Sequence, residues 1–181
     1  MANTSTHDQI AFLRGLRAVR AFRPDPVPRE ALDAILDVAR WSGSASNRQP
    51  WELVIVRDPA TKQALTEVEG HIQHLATAPL AIVLVMNGVP DKEEQEIYDE
   101  GRLCERIMLA AAAYGLGSCI GWLVGDGVAA AKSVLGIPAE RRVKTILSIG
   151  YPDEEALRSR PKRPQARKPL SEIVHMEEYG K

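Results

Sequence analysis

Cysteine is scarce in this chain: only Cys104 and Cys119 occur, and they form no Cys-x-x-Cys pair. Two thiols cannot build a disulfide framework, so the fold must rest on its core. An excess of charge of one sign is missing too, since the formal net charge is −1. That balance gives no electrostatic basis for holding nucleic acid or an anionic membrane surface. Long apolar runs are absent; the longest, about Ala78–Val85, is far too short to span a bilayer. The opening MANTSTHDQI has neither the basic nor the apolar region of a secretory signal. These absences lead us to expect a cytoplasmic protein with no nucleic-acid and no membrane partner. There is also no Gly-x-Ser-x-Gly, no His-Glu-x-x-His and no Walker A loop, which removes the commonest hydrolase, zinc-protease and nucleotide-hydrolysing signatures. No internal repeat or low-complexity linker is visible.

What is present is a 181-residue chain with 45% hydrophobic residues, enough for one domain with a real core. Apolar residues at helical spacing predict helices over 8–16, 29–41, 60–76, 92–114 and 126–135. Buried strands are expected at 53–56, 79–86 and 143–149. Three or four short strands among long helices favour an α+β three-layer arrangement, with helices packed on one sheet. The acidic run from Asp91 to Glu100 reads as an exposed helix start, complementing the positive end of the helix dipole. Cys104 falls in an apolar helix and reads as core, whereas Cys119 sits beside a glycine turn where a thiol can be accessible.

Several clusters could carry chemistry. Arg17 and Arg20 are three apart, so a continuing helix would place both guanidinium groups on one side, where they could hold a phosphate. A solvated basic face accounts for the same pair. Ser42 to Trp51 concentrates hydroxyls and amides between a helix and a strand, suited to the polar edge of a heterocycle, or simply to an ordinary turn. Gly115-x-Gly117-x-x-x-Gly121 is not a dinucleotide fingerprint, yet glycine there would let backbone approach a flat ligand; a helix cap and turn accounts for the pattern equally well. Six basic residues lie among three prolines near the end, Arg158, Arg160, Lys162, Arg163, Arg167 and Lys168, and suggest an extended arm or a solvated linker. The apolar Leu170–Val174 that follows argues for docking. Glu67, His71 and His74 share helical spacing, but no third ligand cluster accompanies them, so no metal is expected.

Taken in order, these motifs are more specific than any one alone. Arg17-x-x-Arg20-x-Phe22 precedes Pro26-Val27-Pro28, then Ser44-x-x-Asn47-x-Gln49-Pro50-Trp51, Gly115-Leu116-Gly117-Ser118 and a tail reading Arg167-Lys168-Pro169-Leu170. From about residue 10 to 175 the chain resembles the nitroreductase family of FMN flavoproteins. The resemblance implies a single domain over 1–181 and a mixed, mainly antiparallel sheet between helices. It also implies a homodimer with FMN at the interface, and an extension from about 152 to 181 that crosses to the partner subunit. Arg17, Ala18 and Arg20 fall in the motif that normally binds the FMN phosphate, the last basic residue reaching toward the ribityl chain or the N1–C2 edge. Arg167, with Lys168, matches the basic pair that closes on the same phosphate. Ser44 and Asn47 match positions usually supplied by the other subunit, and Gln49 joins them as a cofactor contact. Ile120 and Gly121 match the turn whose backbone N–H meets flavin N5.

The implied activity is hydride transfer from NAD(P)H through the flavin, by a ping-pong mechanism, to a nitroaromatic, quinone or similar electron-poor acceptor, with no side chain nominated as acid or base. The alternatives keep the fold: a specialised dehalogenation or flavin fragmentation, usually marked by a lid before the long helix, or flavin binding without catalysis. A flavin-free helical interaction module is the last rival. The chain departs from the family's usual Arg-Arg-Ser-Val-Arg at Leu16 and Ala18, and Gly43 stands where proline is frequent. One charged contact contributes about 1.5–3 kcal/mol. Leu16→Arg should therefore tighten FMN in a fluorescence titration; no gain in affinity would count against this reading.

Overall fold

In the computed structural model of the protein, which describes residues 5–159 and 167–180, the run Leu80–Met86 is buried at every position. It forms β2, the inner partner of β1 (Trp51–Val56), and it pairs on its other side with β4 (Arg142–Gly150). β3 (Gly117–Trp122) completes the sheet in the order β1-β2-β4-β3, and every neighbouring pair is antiparallel. The parallel contribution is one isolated bridge, Ala18 to Ser118.

Alternation along β2 divides the core into two halves. Leu80, Ile82 and Leu84 face α2 (Arg29–Arg40) and α4 (Glu93–Ala113), where Ile35, Leu103 and Ile107 are fully buried. Ala81, Val83 and Val85 face the other way, toward Leu65 of α3 (Pro59–Thr66) and Ala131 of α5 (Gly127–Leu135). The result is the expected three-layer α+β arrangement. Only six residues, Asn87–Lys92, separate β2 from α4, so no lid is inserted there.

Three local expectations need correction. The helix expected over 60–76 stops at Thr66, and Gln73–Ala76 forms a separate 3-10 turn. The cause lies at Gly70, where a Cβ would stand 2.6 Å from the Trp122 carbonyl, and at His71, whose N–H donates to that oxygen at 2.7 Å. Those backbone groups are committed to β3 and cannot continue a helix. The acidic start of α4 is not uniformly exposed either: Glu96, Asp99 and Glu100 are buried. Arg142 reaches in from β4, placing Nη1 2.8 Å from Glu100, while the N–H groups of Gly88 and Val89 donate to Glu96 at 3.0 and 3.3 Å. These donors offset the desolvation that would otherwise keep carboxylates outside. Cys119, finally, is buried rather than accessible.

α1 (Thr6–Gly15) behaves differently from α2 to α5, each of which buries residues in the core. Ser5 and Asp8 cap it reciprocally, yet none of its residues is buried. Ile10, Phe12 and Leu13 all stand exposed.

Two measurements follow from this packing. Removing the charge from Arg142 while leaving both carboxylates buried (Arg142→Ala) should cost about 3–5 kcal/mol in urea denaturation; a loss below 1 kcal/mol would show that Glu96 and Glu100 do not depend on it. Burial, followed by the nearby Glu100, pushes the Cys104 thiol from 9.0 up to about 12. The unfolded chain then releases this proton near pH 9 and the folded one only near 12, so this contribution is whole below pH 9 and is lost as pH rises toward 12. Cys104→Ala should flatten that alkaline loss.

Candidate functional site

The site is organised by a strap of extended chain. Helix α1 ends at Gly15, and Leu16 turns to an extended ψ of 128°. Arg17 and Arg20 therefore do not share a helix face, contrary to the helical expectation. Val19 N–H donates to the Ser118 carbonyl of β3 at 2.8 Å, and further along Arg23 N–H donates to Tyr151 at 2.9 Å while Ala21 accepts from Asp153 at 3.0 Å. The strap lies this close because Gly117 has no side chain: a Cβ there would stand 2.6 Å from Val19. This glycine serves packing of the chain upon itself.

In extended chain, residues three apart point to opposite sides, and here they enter two different clefts. Arg17 lines a cleft of about 570 Å³ together with Leu16, Ala18, Met108 and Arg167. Arg14 joins them, so three guanidinium groups meet one carboxylate, Glu105. Arg17 uses Nη1 to cap the carbonyls of Arg14 and Leu16 at 2.6 and 2.7 Å, which anchors its side chain at the end of α1. The fold thus brings Arg167 from the far end of the chain beside Arg17. Lys168 is exposed and does not line this cleft, and Arg160, Lys162 and Arg163 of the basic arm lie outside the described residues.

Arg20 lines the second cleft, about 640 Å³, with His71, Gln73, His74 and Ile120. Its floor is the outer edge of β3. Every second residue of a strand turns its N–H and C=O to the same edge. The Ser118 carbonyl is taken by Val19 and the Trp122 carbonyl by His71, and Ile120 lies between them facing the same way. Gly121, expected in a turn, is instead within β3 opposite Ile146, with its backbone directed at β4. Its missing side chain has another use: a Cβ would stand 2.7 Å from Ile72 and 2.9 Å from His74 Nε2. Gly121 thereby lets residues 71–74 cross the strand. His74 is buried, and its Nδ1 lies 2.5 Å from the Ser148 hydroxyl on β4. His71, Gln73 and His74 were not among the expected cofactor contacts. His71 and His74 were noted only for a helical spacing that gave no metal site, and only the turn onto β3 sets all three opposite Arg20.

Ser44, Asn47 and Gln49 line neither cleft. They occupy a loop whose Ser44 hydroxyl accepts from Gln49 N–H at 2.8 Å. Ser46, Asn47 and Gln49 all have positive φ, at 52°, 53° and 49°. Left-handed backbone at three non-glycine residues costs about 1–3 kcal/mol each, and such strain collects at functional sites. Asn47 and Gln49 nevertheless present their side chains to solvent. Every described residue from Arg167 to Gly180 is also exposed, including Leu170, Ile173 and Met176. Among the described residues, no group of three or more potential ligands is arranged to hold a metal, and no helix is long and apolar enough to cross a membrane.

Comparison with known proteins identifies relatives over most of the chain. A family model described as the nitroreductase family matches residues 13–84. An NADH dehydrogenase of Thermus thermophilus is 31% identical over 193 residues, covering 87% of this chain and 90% of its own. Nitroreductase NfnB of Mycolicibacterium smegmatis is 27% identical over 195 residues, covering 80% and 82%. Among solved structures, an FMN-dependent nitroreductase of Clostridium difficile superposes with a TM-score of 0.77 at 27% identity, over 94% of this chain and 99% of that one. With a matching motif order, a matching fold and near full-length relatives, the chain belongs to the nitroreductase family of oxidoreductases.

Proposed function

We propose that this protein is a cytoplasmic, FMN-dependent NAD(P)H oxidoreductase that works as a homodimer and reduces a nitroaromatic, quinone or similar electron-poor acceptor. The observation that carries this reading is the convergence of Arg17 and Arg167 in one cleft, one step along the strap from Arg20 and Ile120 in the next. A flavin mononucleotide has a dianionic end and a flat heterocyclic end, and the paired clefts offer a counterpart to each. Arg17 and Arg167, with Arg14 close by, would hold the phosphate bidentately, and Lys168 would add charge at the rim. Ala18 lines the first cleft with a side chain too small to crowd the phosphate. The outward backbone of Ile120 would meet the heterocycle's edge, with Gly121 keeping residues 71–74 in place behind it.

When bound, FMN accepts hydride from the nicotinamide and passes it on to the acceptor; this chemistry belongs to the cofactor, and the protein supplies orientation and electrostatics. Arg20 would favour negative charge at the N1–C2 edge and so raise the reduction potential. The chain needs no side-chain acid or base for this role.

The dimer accounts for surfaces that one copy leaves uncovered. α1 buries nothing, and the tail exposes Leu170, Ile173 and Met176. A partner copy would cover both, through an extension spanning about 152–181 from an otherwise single domain. It would also supply Ser44, Asn47 and Gln49 to a site they cannot reach within their own subunit. The short Asn87–Lys92 connection favours this general reductase over relatives that specialise through a lid.

Purified protein should show flavin absorption bands, or take up FMN and keep it through desalting. Arg17→Ala and Arg167→Ala should each weaken FMN by tenfold or more, from about 1.5–3 kcal/mol per charged contact. Anaerobic mixing with NADH or NADPH should bleach the bound flavin. A colourless protein that takes up no FMN would overturn the reading, and retained flavin that neither donor bleaches would overturn the hydride half.

A further inference from the structure

We propose that Arg102 is a positioning residue for the Ser44–Gln49 loop, and that Gly43 is glycine in order to seat it; the functional consequence rests on the reading above, in which this loop completes the partner's FMN site. Arg102 rises from α4 and lays its guanidinium over the α-carbon of Gly43. A Cβ at Gly43 would stand 3.0 Å from Arg102 Cζ and 3.3 Å from Nη1, and nearer still to Nη2. Asp99, one turn back on the same helix and buried, sits 3.8 Å from Nη1 and fixes which way the side chain leans. A planar guanidinium suits this work because it can lie flat against backbone while its edge keeps an ion pair.

The loop has need of such a restraint. It holds three non-glycine residues at positive φ. Glycine at its entrance has more conformational freedom to lose than any other residue. Proline at that point would fix φ within the chain itself. Here the restraint comes from outside, as a plate pressed on Gly43 at one end and as the Arg48 hydrogen bond to Gln95 at the other. Both anchors stand on α4, so the loop's polar side chains are referenced to that helix rather than to the strand that follows them. Arg102 touches neither cleft and no catalytic part is assigned to it.

The geometry supplies its own control. Arg102 is 56% exposed, so a methyl group at Gly43 can push the guanidinium into solvent without disturbing backbone. Gly43→Ala should then copy the effect of Arg102→Ala on the loop. Each should weaken FMN by about fivefold with dimer mass unchanged; melting temperature should stay unchanged in Gly43→Ala, which keeps Arg102 beside Asp99, and fall in Arg102→Ala, which leaves Asp99 buried without that partner. The double variant should weaken FMN no more than either single one, because both remove one contact. The readouts are the FMN dissociation constant by fluorescence and amide hydrogen exchange of Gln49, whose N–H is held by Ser44. Exchange at Gln49 should quicken in all three variants with or without FMN. Additive losses, or equal affinity and equal exchange across the set, would overturn the assignment. Wild-type protein that takes up no FMN would instead remove the cofactor reading, and the exchange rates alone would still decide whether Arg102 holds the loop.

Discussion

The hydrogen bond from Val19 N–H to the Ser118 carbonyl ties the start of the chain to the edge of the sheet, and the site depends on it. It holds residues 17–22 extended, and an extended strap sends Arg17 and Arg20 to opposite sides. A helical continuation of α1 would have placed both on one face and merged two clefts into one basic patch. The strap lies close enough only because residue 117 has no side chain.

A second set of glycines works in the same way. Gly70 and Gly121 allow residues 70–74 to cross β3, which brings His71, Gln73 and His74 to the cleft that Arg20 enters. The edge of β3 is thus covered at Ser118 and at Trp122, with Ile120 left between. An exposed strand edge is normally a hazard because it invites pairing with other chains. Here the covered length is divided, so that Ile120 stands between the two covered positions and lines the cleft that Arg20 enters.

Rigidity behind the site comes from charge as well as from apolar packing. Glu96, Asp99 and Glu100 are buried along one side of α4, compensated by Arg142, Arg102 and the backbone of Gly88 and Val89. Buried ion pairs contribute little net stability but are costly to leave half-made. They therefore fix the position of α4 against β4, and with it the surface on which the Ser44–Gln49 loop rests.

The sequence by itself determined the layers and the motif order. The short, continuous apolar stretch in β2 matches a strand buried on both faces, and the spacing of Leu32, Ile35 and Leu36 matches a helix with one buried side. Arg17, Arg20, Ile120 and Arg167 were all legible as site candidates. Tertiary structure decided which of them meet. Arg17 joins Arg167 from 150 positions away, and Arg20 joins His74, because the strap and residues 70–74 each spend backbone hydrogen bonds on β3. Such bonds carry no side-chain signature, so local pattern could not separate helix from strap at Arg17, nor helix from turn at His71. The acidic run at the start of α4 shows the same limit. Its burial depends on Arg142, far along the chain, and periodicity within one segment holds no information about a counter-charge supplied by another.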